Sequence, residues 1–164
     1  SAEQLPVFTL YGHLSYVGAQ AGQVVRTGEM IGSVGASGIA RGPHLHFEVR
    51  VGDPFSFDAT RNPELWLHPY PTQGVLVGRL TYADGTAARG IALRVIAGEV
   101  VRSTYSYTDE TVHSDPQLGE NFSMGDLPSG YYVVTVTLNG VERFSQSVYV
   151  QPDQMTWLDV VLPK

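Results

Sequence analysis

The sequence predicts an all-β protein built as two small units in tandem. Three observations carry this. The chain holds 18 glycines and 10 prolines, which punctuate short apolar stretches and leave no long helix-favouring run. Those stretches alternate with a period near two, the period of a strand with one buried face. A proline-rich interval over residues 53–73 then divides the 164 residues into an earlier part and a more regular later part.

The composition bounds the function. With 43% hydrophobic and 16% charged residues the chain is globular and charge-poor. A net charge of −6 and the lack of any basic cluster exclude a nucleic-acid partner. No apolar run reaches the roughly 18 residues of a membrane-spanning helix. Cysteine is absent, so neither disulfides nor thiolate metal ligands are available, and the compartment stays open on that count.

Taken in order, Val7–Leu14 reads as a strand, with Phe8 and Leu10 alternating against Thr9, Tyr11 and His13. Val24–Val34 follows as strand broken by Gly28 and Gly32. The loop Ala36–Pro43 resembles a phosphate loop only superficially, since it has neither Gly-Lys-Ser/Thr nor a following helix. The segment 53–73 carries Pro54, Pro63, Pro69 and Pro71 beside Phe55, Phe57, Trp66 and Tyr70, whose side chains are expected to pin it down. Within it, Asn62–Leu67 is expected to form a short helix with Pro63 in its first turn. From residue 74 the strands become regular: 75–81, 91–96, 100–107, 131–138, 141–150 and 156–162, with a turn at Asp84-Gly85. That spacing predicts a small β-sandwich over 74–164.

The stretch Gly42-Pro43-His44-Leu45-His46-Phe47-Glu48-Val49-Arg50 carries the chemistry. In a strand, His44, His46, Glu48 and Arg50 share one face, while Leu45, Phe47, Val49 and Val51 share the other. Two imidazoles on one small area suit a metal or an acid/base site. His13, next to Gly12 at a strand end, is accessible in the way a proton-transfer group must be. His68, before Pro69, reads as packing or surface. His113 lies in a polar loop with Asp109, Glu110, Asp115 and Glu120, whose spacing matches no ordered calcium site. Tyr105, Tyr107, Tyr131, Tyr132 and Tyr149 read as half-buried packing rather than a carbohydrate platform.

Several of these pieces occur in a recognisable order: Leu10-Tyr11-Gly12-His13-Leu14-Ser15, Gly22-Gln23-Val24-Val25, Gly28-Glu29-Met30-Ile31-Gly32-Ser33-Val34-Gly35, Ser37-Gly38, and Gly42 to Glu48. Over about residues 5 to 51 the chain resembles the C-terminal half of the lysostaphin-type zinc metallopeptidases, the duplicated-hybrid-motif enzymes that cut peptidoglycan cross-bridges. The resemblance implies that His46 binds zinc, and that His44 and His13 lie beside the metal to assist the attacking water and stabilise the oxyanion. It implies peptidoglycan peptides as the partner, and a secreted, periplasmic or cell-envelope location. A three-histidine site from His13, His44 and His46 is the alternative arrangement.

One departure is plain. The family's two other ligands come from an upstream His-x-x-x-Asp motif, and no histidine here has aspartate at that offset. Val17 follows His13, Glu48 follows His44, Arg50 follows His46, Thr72 follows His68 and Gln117 follows His113. A catalytic zinc takes three protein ligands and a water, so residues 1–52 are expected to be the downstream part of a peptidase domain. Its open sheet edge is expected to pair with another chain or with the missing N-terminal half. The rival reading is a non-enzymatic envelope scaffold or hydrolase activator. The glycine pattern of residues 22–35 also resembles biotinyl and lipoyl carriers, but Lys164 is the only lysine, which removes the attachment site such carriers need.

Residues 74–162 are similar to the carboxypeptidase regulatory-like, transthyretin-like domains. The run Leu127-Pro128-Ser129-Gly130-Tyr131-Tyr132-Val133-Val134-Thr135-Val136 is the most specific part. The expected organisation is therefore a partial hybrid-motif sheet over 1–52, a connecting segment over 53–73, and an Ig-like or prealbumin-like sandwich over 74–164.

Overall fold

A computed structural model describes residues 5–108 and 112–164. The architecture is all-β, as the sequence predicts, and its contacts divide it into two units, 1–60 and 61–164.

The first unit contains β1 (Val7–Gly12), β2 (Leu14–Val17), β3 (Gly32–Val34), β4 (His46–Val51) and a 3-10 turn over Phe57–Ala59, and the two-residue β5 (Thr60–Arg61) straddles its boundary with the second. β1 and β4 pair antiparallel, with Gly12 opposite His46, Tyr11 opposite Phe47 and Thr9 opposite Val49. β2 and β3 form a separate antiparallel ribbon. Three differences from the sequence reading stand out. The predicted strand Val7–Leu14 breaks at His13, whose φ of 58° lies in the left-handed region. Within Val24–Val34 only Gly32–Val34 is strand, because the residues before it turn through Gly22 and Gly28, both at positive φ. Leu45 is 47% exposed instead of facing a core, since regular pairing with β1 begins only at His46. Among the described residues of this unit, Val49 and Ala59 are the buried apolar side chains.

The second unit opens with a 3-10 turn at Pro63–Leu65 rather than a longer helix, capped by the Asn62 side chain accepting from the Glu64 N–H. Its strands are β6 (Gln73–Tyr82), β7 (Ala92–Ala97), β8 (Val100–Tyr105), β9 (Phe122–Pro128), β10 (Gly130–Leu138), β11 (Val141–Val150) and β12 (Met155–Leu162). They form a four-stranded sheet ordered β11-β10-β7-β8 and a three-stranded sheet ordered β12-β6-β9. One core runs between them: Leu76 and Leu80 from β6, Phe122 and Leu127 from β9, and Leu158 and Leu162 from β12 pack with Leu93, Val95, Val134 and Val136. β9 is a strand that propensity did not indicate. Phe122-Ser123-Met124-Gly125-Asp126-Leu127-Pro128 is a poor strand sequence, and its pairing with β6 holds it.

Several polar groups brought into this unit are satisfied, while the buried Gln73 Oε1 has no hydrogen-bond partner among the described residues. Asn62 is buried and donates to the Tyr107 hydroxyl and to Ser123 Oγ. Burial pushes the Tyr107 hydroxyl up to about 12, against its hydrogen bonds with Ser123 and Asn62. Glu120 is fully buried, and both its oxygens accept from the Asp115 N–H at 3.1 Å. Not all the tyrosines pack inward: Tyr131 and Tyr149 face solvent as an edge-on pair with centroids 4.8 Å apart, and Tyr105 is also exposed. Phe55 and Tyr70 are exposed as well, so they do not pin the proline-rich segment. Asp109 and Glu110 lie outside the described residues.

Two outcomes follow for this unit. A Cβ at Gly78 would stand 1.7 Å from the Leu158 carbonyl oxygen and 2.7 Å from Phe122 Cζ. Gly78→Ala is therefore expected to lower stability to urea by at least about 1–3 kcal/mol, as overpacking does. Burial also raises the Glu120 carboxyl above its ordinary value of 4.5. A raised carboxyl binds its proton more tightly when folded, so its contribution to stability falls as pH rises from 4.5 through that raised value. Glu120→Gln is expected to flatten this part of the pH–stability curve, measured by urea unfolding at a series of pH values.

Candidate functional site

The site is built where β1 ends and β4 begins. Gly12 stands opposite His46, and a Cβ on Gly12 would lie 3.0 Å from His46 Cβ. The glycine thus leaves room for the imidazole across the pair. The chain then turns at His13 through its left-handed φ. A non-glycine residue there carries a conformational cost of order 1–3 kcal/mol. The turn brings the His13 ring to 4.7 Å from that of His44 and 5.5 Å from that of His46, centroid to centroid.

His44 is placed by a second close approach. Its backbone bridges to Gly35, with the His44 N–H donating to the Gly35 carbonyl at 3.1 Å. A Cβ on Gly35 would meet Ser15 N at 2.5 Å. Only a glycine lets β2 lie this close to the strand that leads into His44. The Ser15 hydroxyl ties the same crossing by donating to the Val34 carbonyl at 3.0 Å.

Hydrogen bonds orient each ring, and they set the tautomers because a carbonyl oxygen can only accept. His13 donates from Nδ1 to the Ser37 carbonyl at 2.8 Å, and His44 donates from Nδ1 to the Gly42 carbonyl at 2.8 Å. In their neutral forms both therefore keep Nε2 as the basic nitrogen. His46 is held the other way round, with Nε2 2.7 Å from Glu48 Oε1. Arg50 grips the other Glu48 oxygen through Nε and Nη2, each at 2.7 Å, and donates from Nη1 to the Pro54 carbonyl at 2.7 Å. Burial pushes the Glu48 carboxyl up, but the hydrogen bonds from His46 and Arg50 outweigh it and hold it below its ordinary value.

The three histidines singled out in the sequence thus come together, and Glu48 and Arg50 join His46 on one strand face. His68 and His113 are not in this cluster: His68 is exposed and its Nδ1 meets its neighbour's carbonyl, that of Pro69, at 2.8 Å. Sequence reasoning missed the holding role of the Ala36–Pro43 loop, whose Ser37 and Gly42 carbonyls orient two rings. No side-chain signal marks that role, because backbone oxygens perform it. The hold of Glu48 on His46 was open to inference from their spacing of two.

His46 has the donor chemistry of a metal ligand: one ring nitrogen against a carboxylate and the other left with its lone pair. Yet among the described residues no group of three or more His, Cys, Asp or Glu side chains is disposed to hold a metal ion. His13, His44 and His46 therefore cluster without forming a three-histidine metal site. The residues present fit one coordination position and not a complete zinc set.

Residues 2–57 match Peptidase family M23, which bears out the resemblance of the first unit to the lysostaphin-type peptidases. The DD-carboxypeptidase/endopeptidase Mpg of Neisseria meningitidis is 55% identical over 49 residues, covering 29% of this chain and 11% of that protein. The peptidoglycan DD-endopeptidase ShyB of Vibrio cholerae is 49% identical over 43 residues, 26% of this chain and 10% of that protein. An uncharacterized metalloprotease of Haemophilus influenzae is 49% identical over 43 residues, 26% of this chain and 9% of that protein. The chain spans about a tenth of the length of these curated relatives.

The ring hydrogen bonds have a spectroscopic consequence. Long-range nitrogen–proton NMR correlations recorded above the imidazole titration range are expected to show His13 and His44 as Nδ1–H tautomers. Nε2–H patterns for both would contradict the carbonyl contacts.

Proposed function

We propose that this chain is the C-terminal part of a zinc metalloendopeptidase that acts on peptidoglycan cross-bridge peptides outside the cytoplasm, in a secreted, periplasmic or envelope protein. The observation that carries this reading is the gathering of His13, His44 and His46 on a segment that matches Peptidase family M23. His46 would be one zinc ligand, with the others supplied by a His-x-x-x-Asp segment that these 164 residues do not contain. Zinc in such enzymes polarises the scissile carbonyl and acidifies a water. The chain's own part is proton handling. The neutral rings of His13 and His44 each keep Nε2 as a proton acceptor, and their Nδ1–H bonds fix the direction in which it points. Once protonated, the same nitrogens can donate to an oxyanion or to the departing amine. The β-sandwich carries no part of this chemistry and would serve as an accessory module.

A non-enzymatic scaffold or hydrolase activator is the second reading. Substitution in the full-length protein separates the two. His46→Ala is expected to abolish zinc-dependent cleavage of purified muropeptides, and His13→Ala and His44→Ala to lower kcat by about 10²–10⁴-fold, the usual worth of a positioned acid or base. Residues 1–164 alone are expected to leave muropeptides uncut. Unchanged cleavage after His46→Ala would sink the enzyme reading.

A further inference from the structure

The three rings of the cluster are not held alike. His13 and His44 each rest on a neutral backbone carbonyl through Nδ1, whereas His46 rests on a carboxylate through Nε2. That carboxylate is itself immobilised. The Arg50 fork closes on Glu48 Oε2 alone, which leaves Oε1 to His46, and Arg50 is anchored in turn on the Pro54 carbonyl. The order of exposure follows the same direction: the His46 side chain is 44% exposed, Glu48 17% and Arg50 13%. A line of hydrogen bonds therefore runs from a part-buried anchor outward to the ring. Its links are charge-assisted, and such links are roughly twice as strong as neutral ones.

We infer that Glu48, clamped by Arg50, is a positioning residue that holds His46 by its Nε2–H and so makes Nδ1 the nitrogen His46 offers to a ligand. The spacing makes this possible. Residues 46, 48 and 50 share one strand face, so each side chain reaches the next without any contribution from another element. The opposite orientation has no support on this face, because a carboxylate pairs with a ring N–H and not with a bare nitrogen. The inference deepens the proposed function, on which it rests for the identity of the ligand. It makes the choice of nitrogen on His46 a property of its own strand, already decided before any metal arrives.

The test needs neither metal nor substrate. In the 164-residue chain above the imidazole titration range, His46 is expected to show an Nε2–H tautomer. Its ring proton should be shifted downfield and protected from exchange with water, as a half-exposed ring N–H without a partner is not. Glu48→Ala is expected to abolish that protected signal while the backbone amide spectrum of the sandwich stays in place. Arg50→Met, which keeps the apolar stem and removes the fork, should shorten the proton's lifetime against exchange. An Nδ1–H or tautomer-averaged His46 in the unsubstituted chain would overturn the inference, as would a protected signal that survives Glu48→Ala. If Glu48→Ala fails to fold, the unsubstituted spectrum and Arg50→Met still decide it. Muropeptide cleavage is read separately: its absence from the full-length protein with the His46 signature intact would defeat the peptidase reading and leave the positioning role standing.

Discussion

The pairing of β1 with β4 is the constraint on which the first unit's chemistry depends. Its register sets Gly12 across from His46, and the missing side chain at Gly12 is what lets the imidazole lie against the neighbouring strand. A slip of one residue would send every side chain of β4 to the opposite face. His46, Glu48 and Arg50 would then leave the side where His13 arrives. The left-handed turn at His13 is tied to the same register, because the chain must leave β1 directly after Gly12 to bring a ring back beside His44 and His46.

The two units solve the problem of stability differently. The sandwich buries leucines, valines and Phe122 between two sheets. Two of its buried polar residues, Asn62 and Glu120, have hydrogen-bond partners, so their burial does not carry the full cost of desolvation. The first unit has almost no interior, with Val49 and Ala59 as its buried apolar side chains among the described residues. Close backbone approaches and hydrogen bonds order it instead: Gly35 against Ser15, the Ser15 hydroxyl on Val34, and the Arg50 fork on Glu48 and Pro54. That economy matters for the site, whose rings are held by polar contacts and not by packing.

Much of this was legible in the sequence. Period-two spacing put His44, His46, Glu48 and Arg50 on one side, and the alternating runs after residue 74 marked most of the sandwich strands. The failures have specific causes. Val24–Met30 has strand-like residues, but Gly22 before it and Gly28 within it turn at positive φ, and Val24 is exposed. β9 contains Gly125, Asp126 and Pro128, and only the partner strand β6 supplies the hydrogen bonds that make it a strand. Leu45 alternates correctly for a core face, yet it precedes the point where β4 gains its neighbour. The break at His13 had only a weak local signal, since histidine is enriched among non-glycine residues at positive φ but the conformation is uncommon for any of them.

By itself the sequence determined the residue types of the site, their common strand face and the family pattern over the first unit, because strand periodicity and motif order are properties of the chain. It also determined that a His-x-x-x-Asp pair is absent from these residues. Only the tertiary structure decided which atoms of those residues are available. The distances between the three rings, the carbonyls of Ser37 and Gly42 that turn His13 and His44 one way, and the carboxylate that turns His46 the other way all depend on strand register and on loop backbone atoms. Ring orientation is set by hydrogen-bond partners distant in sequence or belonging to the backbone, and no pattern of side-chain types encodes those.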